Sequence, residues 1–261
     1  MSQNTVRTLF NLANVVHFSY IIYWTYGLKI PGHRHNAFGG QWKFLTYWNI
    51  WLQLIYFIVG LCNELFGSNA KTANLESISR MQKLRDFLFS TMAFPVGIFV
   101  TISFWSLFLI DRNLVFPRKL DDFYPLWANH MMHTTSTVSQ LIEMIISFHI
   151  YPSRTKGMLT SMGFAFVYLG WILFIAYKSN VWVYPILQKL PTFGRTIFII
   201  GCCLLFGILF CGGEMLNRKI WPAELKIMNP VQKESTTGDN NEEPATHNYN
   251  TRSRKKVAKA D

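Results

Sequence analysis

The chain has 261 residues, of which 50% are hydrophobic, 16% aromatic and only 15% charged. That balance is too apolar for an ordinary soluble domain of this length and places the chain in a bilayer. The formal net charge of +11 belongs to loops and a C-terminal tail, where RSRKK suits anionic lipid headgroups rather than nucleic acid.

Apolar windows near 8–28, 44–66, 87–110, 126–150, 158–177 and 196–216 each hold about 20 residues, enough at ~1.5 Å per residue to cross a ~30 Å hydrocarbon core. They predict an all-α fold, a six-helix transmembrane bundle over residues 1–227. Residues 228–261 are rich in Asn, Glu, Lys, Thr and Ser, and predict a disordered polar tail with too few large apolar groups to fold. The first window is not a cleaved signal peptide, because His17, Ser19 and a cluster of aromatics interrupt it and no small-residue cleavage site follows.

In the second window Thr46, Asn49, Gln53, Gly60 and Glu64 share one helical face, while Trp48, Trp51, Ile55 and Val59 point away. Pro95, in FPVG, interrupts the third and is expected to kink it. The fourth reads LWANHMMHTTSTVSQLIEMIISFHI. Asn129, Ser136, Thr137, Gln140 and Ser147 fall within about 60° of His133 on a helical wheel, with His130 and Glu143 on its flanks. Met131, Val138, Ile142, Ile145 and Ile146 lie opposite. Two polar stripes in lipid imply either a hydrogen-bonded seam or a polar cavity.

Cys62, Cys202, Cys203 and Cys211 all fall inside windows, without disulfide or zinc spacing, and read as buried thiols. His130-x-x-His133 and His33-x-His35 fall short of the roughly eight clustered histidines of a membrane di-iron site, so neither metal nor cofactor is expected. Trp42, Trp182, Tyr184 and Trp221 mark an interfacial belt. Lys and Arg near the window ends lean towards both termini in the cytosol. Thr46 and His133 then lie towards the same membrane face and can meet.

GGQWKFLT (39–46), LRDFLFSTMAFPVG (84–97), NHMMHTT (129–135), YPSR (151–154) and WVYP (182–185) together resemble the androgen-induced gene 1 and androgen-dependent TFPI-regulating protein family in order and spacing, from about residue 10 to 221. The resemblance implies a six-helix membrane protein that hydrolyses fatty acid esters of hydroxy fatty acids. It implies a nucleophilic threonine in WKFLT, here Thr46, and a general-base histidine in MHTT, here His133. Its partners would be the lipid ester substrate and membrane lipids, and its location the endoplasmic reticulum or the cell membrane. Met131 stands where a small residue is expected and would narrow the pocket beside His133.

Such chemistry needs a base to take the threonine proton and a third group to orient the imidazole. Asn129, Thr137, Gln140 and Glu143 are the candidates for that group. Lys43, one turn before Thr46, is the nearest cation for a substrate carboxylate. The chain lacks a G-x-S-x-G elbow, which removes an α/β-hydrolase site. From the polar stripes alone a non-enzymatic transporter or channel remains the alternative.

Overall fold

The computed structural model describes residues 2–28, 38–72 and 75–228, and these contain helices and no strand. The tail expectation and the His33-x-His35 pair lie outside them. Helix α1, Gln3–Tyr26, begins where the Ser2 hydroxyl accepts the Thr5 amide at 3.2 Å. A turn through Gly39 and Gly40, both at positive φ (93° and 52°), leads into a 3-10 turn at Gly40–Lys43 and then α2, Leu45–Phe66.

Helix α3, Arg80–Leu88, is capped by Ser79, which accepts the Gln82 amide at 3.1 Å. It continues through a π-helical turn, Phe89–Ala93, into α4, Phe94–Asp111. Pro95 has no N–H to continue the α register, so the backbone widens ahead of it. Ser90 and Thr91 donate their hydroxyls to the Asp86 and Phe87 carbonyls, at 2.8 and 2.7 Å, where the register changes. The interruption expected at Pro95 is thus a π turn rather than a simple bend.

The fourth window is two helices, α5 (Leu126–His133) and α6 (Thr135–Ile146), broken at Thr134. Its hydroxyl is held by Trp105 Nε1–H and by His130 Nδ1, each at 3.1 Å, which competes with regular helix at that residue. Then follow α7 (Arg154–Ser179), a short α8 (Pro185–Lys189), α9 (Thr192–Ile220) and α10 (Pro222–Met228).

Four continuous helical stretches are long and apolar enough to cross a membrane: Leu45–Phe66, Arg80–Leu114, Arg154–Ser179 and Thr192–Ile220. The first and fourth windows do not reach that standard alone. Helix α1 has the length, but Arg7, Asn11 and Asn14 are turned into the protein at the cost of an apolar run. The fourth is divided at Thr134.

Successive segments run in opposite directions. One end joins Arg7 to Glu64 at 3.2 Å, Arg85 to Asp86 at 2.7 Å and His149 to Asp86 at 3.1 Å. The other joins Gln41 to the Thr25 carbonyl at 2.7 Å, and the Tyr184 hydroxyl to the Leu45 amide at 3.0 Å. Outward faces carry exposed Val16, Ile58, Leu109, Leu159, Val167 and Ile208, as a lipid-facing surface requires. Helices α7 and α9 pack closely because Gly157 lies against Phe210, whose ring a Cβ would enter. The cysteines are free and partly rather than fully buried, and Cys202 and Cys203 line the interior cavity. Tyr184 is likewise no belt residue: it is hydrogen-bonded inside, to Leu45 and to the Tyr168 hydroxyl at 2.8 Å.

Candidate active site

Between α2, α4, α5, α7 and α9 lies a cavity of about 200 Å³ whose walls are mostly apolar, with Phe44, Phe99, Phe104, Phe116 and Phe206 prominent. Thr46, Asn129 and His133 line it together.

Thr46 occupies the first turn of α2, where backbone N–H groups precede the reach of the helix's own carbonyls. That turn is fixed from outside: Tyr168 donates to the Lys43 carbonyl at 2.9 Å, and Tyr184 receives the Leu45 amide. His133 closes α5, and its ring lies flat on Phe104, with centroids 3.6 Å apart and planes 9° apart. Its Nδ1 has no hydrogen-bond partner among the described residues, nor does Asn129 Oδ1 one turn earlier. Both residues are buried, His133 at 8% exposure and Asn129 at 5%.

The other polar groups of the fourth segment serve elsewhere. Thr135 meets His17 at 2.8 Å, Thr137 donates to Thr101 at 2.8 Å, and Ser139 donates to Asn14 at 2.6 Å. Gln140 donates to Gln53, which itself donates to Asn49 at 3.0 Å and to the Ala93 carbonyl at 2.9 Å. Glu143 accepts from Tyr56 at 3.0 Å. The stripes therefore form mainly a hydrogen-bonded seam, and the cavity at its end is apolar rather than polar, with Thr46, Asn129 and His133 set into its wall. Of the four groups that could orient His133, only Asn129 lines the cavity.

Four expectations are corrected. Lys43 is buried at 1% exposure with its ammonium 5.4 Å from the Phe44 ring centre, and it is not part of the cavity wall. Met131 packs into the neighbouring core, and Met132 lines the cavity instead. His130 faces away and stacks on Trp105 with ring centres 5.1 Å apart. Glu64, near its helix end, does not reach water: its side chain is 1% exposed and contacts Arg7 and Arg85 at 3.2 and 3.7 Å.

Sequence reading missed the aromatic walls, because the periodicity of apolar residues does not separate core from cavity lining. It also missed the ionic group at the opposite end. There Asp86 accepts from Arg85 and from the Ile150 amide, at 2.7 and 3.2 Å, while lying 3.1 Å from His149 Nδ1. His149 is stacked on Phe89 at 3.7 Å.

The family described as FAR-17a/AIG1-like protein matches residues 6–218. The chain is 34% identical to the androgen-induced gene 1 protein of Homo sapiens over 210 residues, covering 79% of this chain and 87% of that protein. It is 38% identical to the androgen-dependent TFPI-regulating protein of Mus musculus over 197 residues, covering 76% and 83%. A UPF0641 membrane protein of Schizosaccharomyces pombe is 26% identical over 168 residues, covering 62% and 69%. No solved structure matches the chain.

Proposed function

Since the chain belongs to the FAR-17a/AIG1-like family and is a multi-pass membrane protein, we propose that it is an intramembrane lipid ester hydrolase, with fatty acid esters of hydroxy fatty acids as the substrate class that its sequence motifs imply. The observation that carries this reading is the presence of Thr46 and His133 in the wall of one apolar cavity. In this reading α1 and the α5–α6 pair complete a six-span bundle with both termini in the cytosol.

The chemistry proceeds in two halves. Neutral His133 takes the Thr46 Oγ proton as the oxygen attacks the ester carbonyl carbon. The tetrahedral oxyanion forms near the first turn of α2, where the positive end of the helix dipole stabilises it. The C–O bond to the hydroxy acid breaks, that oxygen takes the proton from His133, and acyl-Thr46 remains. Water then attacks the acyl carbon, His133 accepts its proton and returns it to Thr46, and the fatty acid departs. The stacked Phe104 ring holds the plane of the imidazole, and Asn129, one turn away in the same wall and not bonded to His133 Nδ1, is the polar group in reach of substrate beside it. The aromatic walls hold acyl chains and exclude bulk water from the reacting carbonyl.

A serine/threonine-directed fluorophosphonate probe tests the assignment on purified protein. Labelling and ester turnover are expected to disappear in Thr46→Ala and His133→Ala, because a nucleophile and its base act as a unit. Labelling that persists in Thr46→Ala, or an absence of labelling in the unsubstituted protein, removes the hydrolase reading in favour of a transporter or channel.

A further inference from the structure

Two stripes of side chains descend from the cavity in matching register. Tyr56 and Glu143 are hydrogen-bonded and 87 residues apart, and Gln53 and Gln140 are hydrogen-bonded at the same separation of 87. Helices α2 and α6 thus run parallel and in step. The same offset sets Asn49 beside Ser136 and brings Thr46 and His133 to the top of the ladder. The middle rungs converge over Gly97: a Cβ there would lie 3.0 Å from Gln53 Nε2, 3.6 Å from Ser136 Cβ and 3.7 Å from Gln140 Cγ. At the bottom Glu143 Oε1 lies 3.8 Å from His149 Nε2, and His149 Nδ1 lies 3.1 Å from Asp86.

A dry seam satisfies its own members, and this one does not. Asn49 Nδ2, Ser136 Oγ, Gln140 Oε1, Glu143 Oε2 and His149 Nε2 are buried and have no hydrogen-bond partner among the described residues. Asn49, Ser136, Gln140 and His149 are each at 0% exposure and Glu143 at 1%. Above them come Asn129 Oδ1 and His133 Nδ1, equally without partners. Buried groups of this kind are ordinarily satisfied by water, which bonds to two to four of them at once. The unpartnered atoms include acceptors (Glu143 Oε2, Gln140 Oε1), a donor (Asn49 Nδ2) and a hydroxyl that does both (Ser136 Oγ), each of which a water molecule can bond.

We infer that the ladder from His149 and Glu143 through Gln140 and Ser136 is an internal water path that feeds the hydrolytic water to His133. The inference rests on the hydrolase reading, which leaves one reactant without a route: the ester arrives from lipid through apolar walls, but the second half-reaction consumes one water per acyl-Thr46. In that half-reaction the water oxygen bonds to the acyl carbon, the bond from that carbon to Thr46 Oγ breaks, and the water proton passes through His133 to Thr46 Oγ. Gln140, Ser136 and Asn49 are positioning residues that hold the water. They act after the alcohol product has left.

The experiment follows acyl-Thr46 on the full-length protein in nanodiscs, by rapid quench and intact mass, in Ser136→Ala and Gln140→Met. Ser136 Oγ bonds to no described protein atom, so a structural role predicts no loss on its removal. The water path instead predicts acyl-Thr46 decay about ten-fold slower, with fluorophosphonate labelling of Thr46 at the unsubstituted rate. Gln140→Met keeps the side-chain volume and is expected to give the same split. Unchanged decay in both variants, or labelling slowed in step with decay, overturns the path while leaving Thr46 as nucleophile. Absence of Thr46-dependent labelling in the unsubstituted protein overturns the hydrolase reading, and the path with it.

Discussion

His133 lies face to face on Phe104, 3.6 Å between ring centres, and this stack is the closest ring contact in the cavity wall. The residue that would act as base is therefore aimed by an aromatic plate on α4 as much as by any polar neighbour. A histidine stacked in this way cannot tilt out of the plane that presents its edge to the cavity, but it can slide within it.

Truncating the plate frees the ring. Phe104→Ala is expected to lower kcat about ten-fold or more through loss of orientation, whereas Phe104→Tyr keeps the stack and most of the activity. Turnover of a long-chain ester by the two variants, with circular dichroism as a check on helix content, decides this. Equal activity in Phe104→Ala and the unsubstituted protein would show that the stack does not aim His133.

The ionic end of the bundle makes a prediction about stability. Arg85 is buried at 2% exposure, and its guanidinium contacts Asp86 at 2.7 Å, Glu64 at 3.7 Å and the Phe148 carbonyl at 3.1 Å. Removing one member of a buried charge group leaves the others unpaired, at a cost of about 3–5 kcal/mol. Arg154 also touches a carboxylate, Glu214 at 2.7 Å, but its side chain is 68% exposed and Arg218 holds the same carboxylate at 2.6 Å. A pair of that kind is worth at most about 1 kcal/mol. In detergent, Arg85→Met is therefore expected to lower the midpoint of thermal unfolding markedly and Arg154→Met to leave it almost unchanged. Comparable shifts in the two variants would mean that the buried group contributes nothing beyond a surface pair.

How much of this was legible in the sequence depends on which force does the work. The helices at Leu45–Phe66, Arg154–Ser179 and Thr192–Ile220 follow from length and apolarity, because the bilayer permits almost nothing else. The facing of the stripes was legible too, since 3.6-residue periodicity places Asn49 with Gln53, and Ser136 with Gln140, whatever they touch. The partners were not. Whether Gln140 would face a cavity or Gln53 depends on how α2 and α6 approach at Gly97, which is a tertiary fact. The break at Thr134 escaped notice because a threonine inside an apolar helix is ordinary until Trp105 reaches its hydroxyl. Lys43 looked like a cavity cation on spacing alone. The contact that fixes its backbone carbonyl comes from Tyr168 on α7, more than a hundred residues on.

The far wall of the cavity sets a limit on what fits. Phe99 and Phe206 line it with ring centres 4.4 Å apart, joining α4 to α9. Opening this contact lengthens the space for an acyl chain. Phe206→Ala is expected to raise kcat/KM for the longest esters relative to medium-length ones, since each additional buried methylene contributes about 0.8 kcal/mol. A series of esters differing only in acyl length measures the ratio. A uniform fall at every length would show that the pair supports the fold without gauging the chain.

Topology is the last point on which the site depends. The cavity end of the molecule contains Tyr124 and Tyr184 beside Thr46, and the opposite end contains Glu224 bonded to Lys71 at 2.9 Å. Residues 118–120 form a turn between α4 and α5, towards the cavity end, and α10 follows α9 at the ionic end. If the bundle spans the membrane as six segments, a tag at Lys119 and a tag at Lys226 sit on opposite sides, with Lys226 in the cytosol as the weak excess of Lys and Arg requires. Single cysteines at the two positions, in a variant with Cys62, Cys202, Cys203 and Cys211 replaced by alanine, can be read with a membrane-impermeant maleimide on intact and on permeabilised cells. Labelling at Lys119→Cys in intact plasma-membrane protein, with Lys226→Cys labelled only after permeabilisation, is the expected result. Both positions on one side would mean that an odd number of the three segments after Lys119, namely the α5–α6 pair, α7 and α9, fail to cross, which removes the six-span bundle and the placement of both termini in the cytosol.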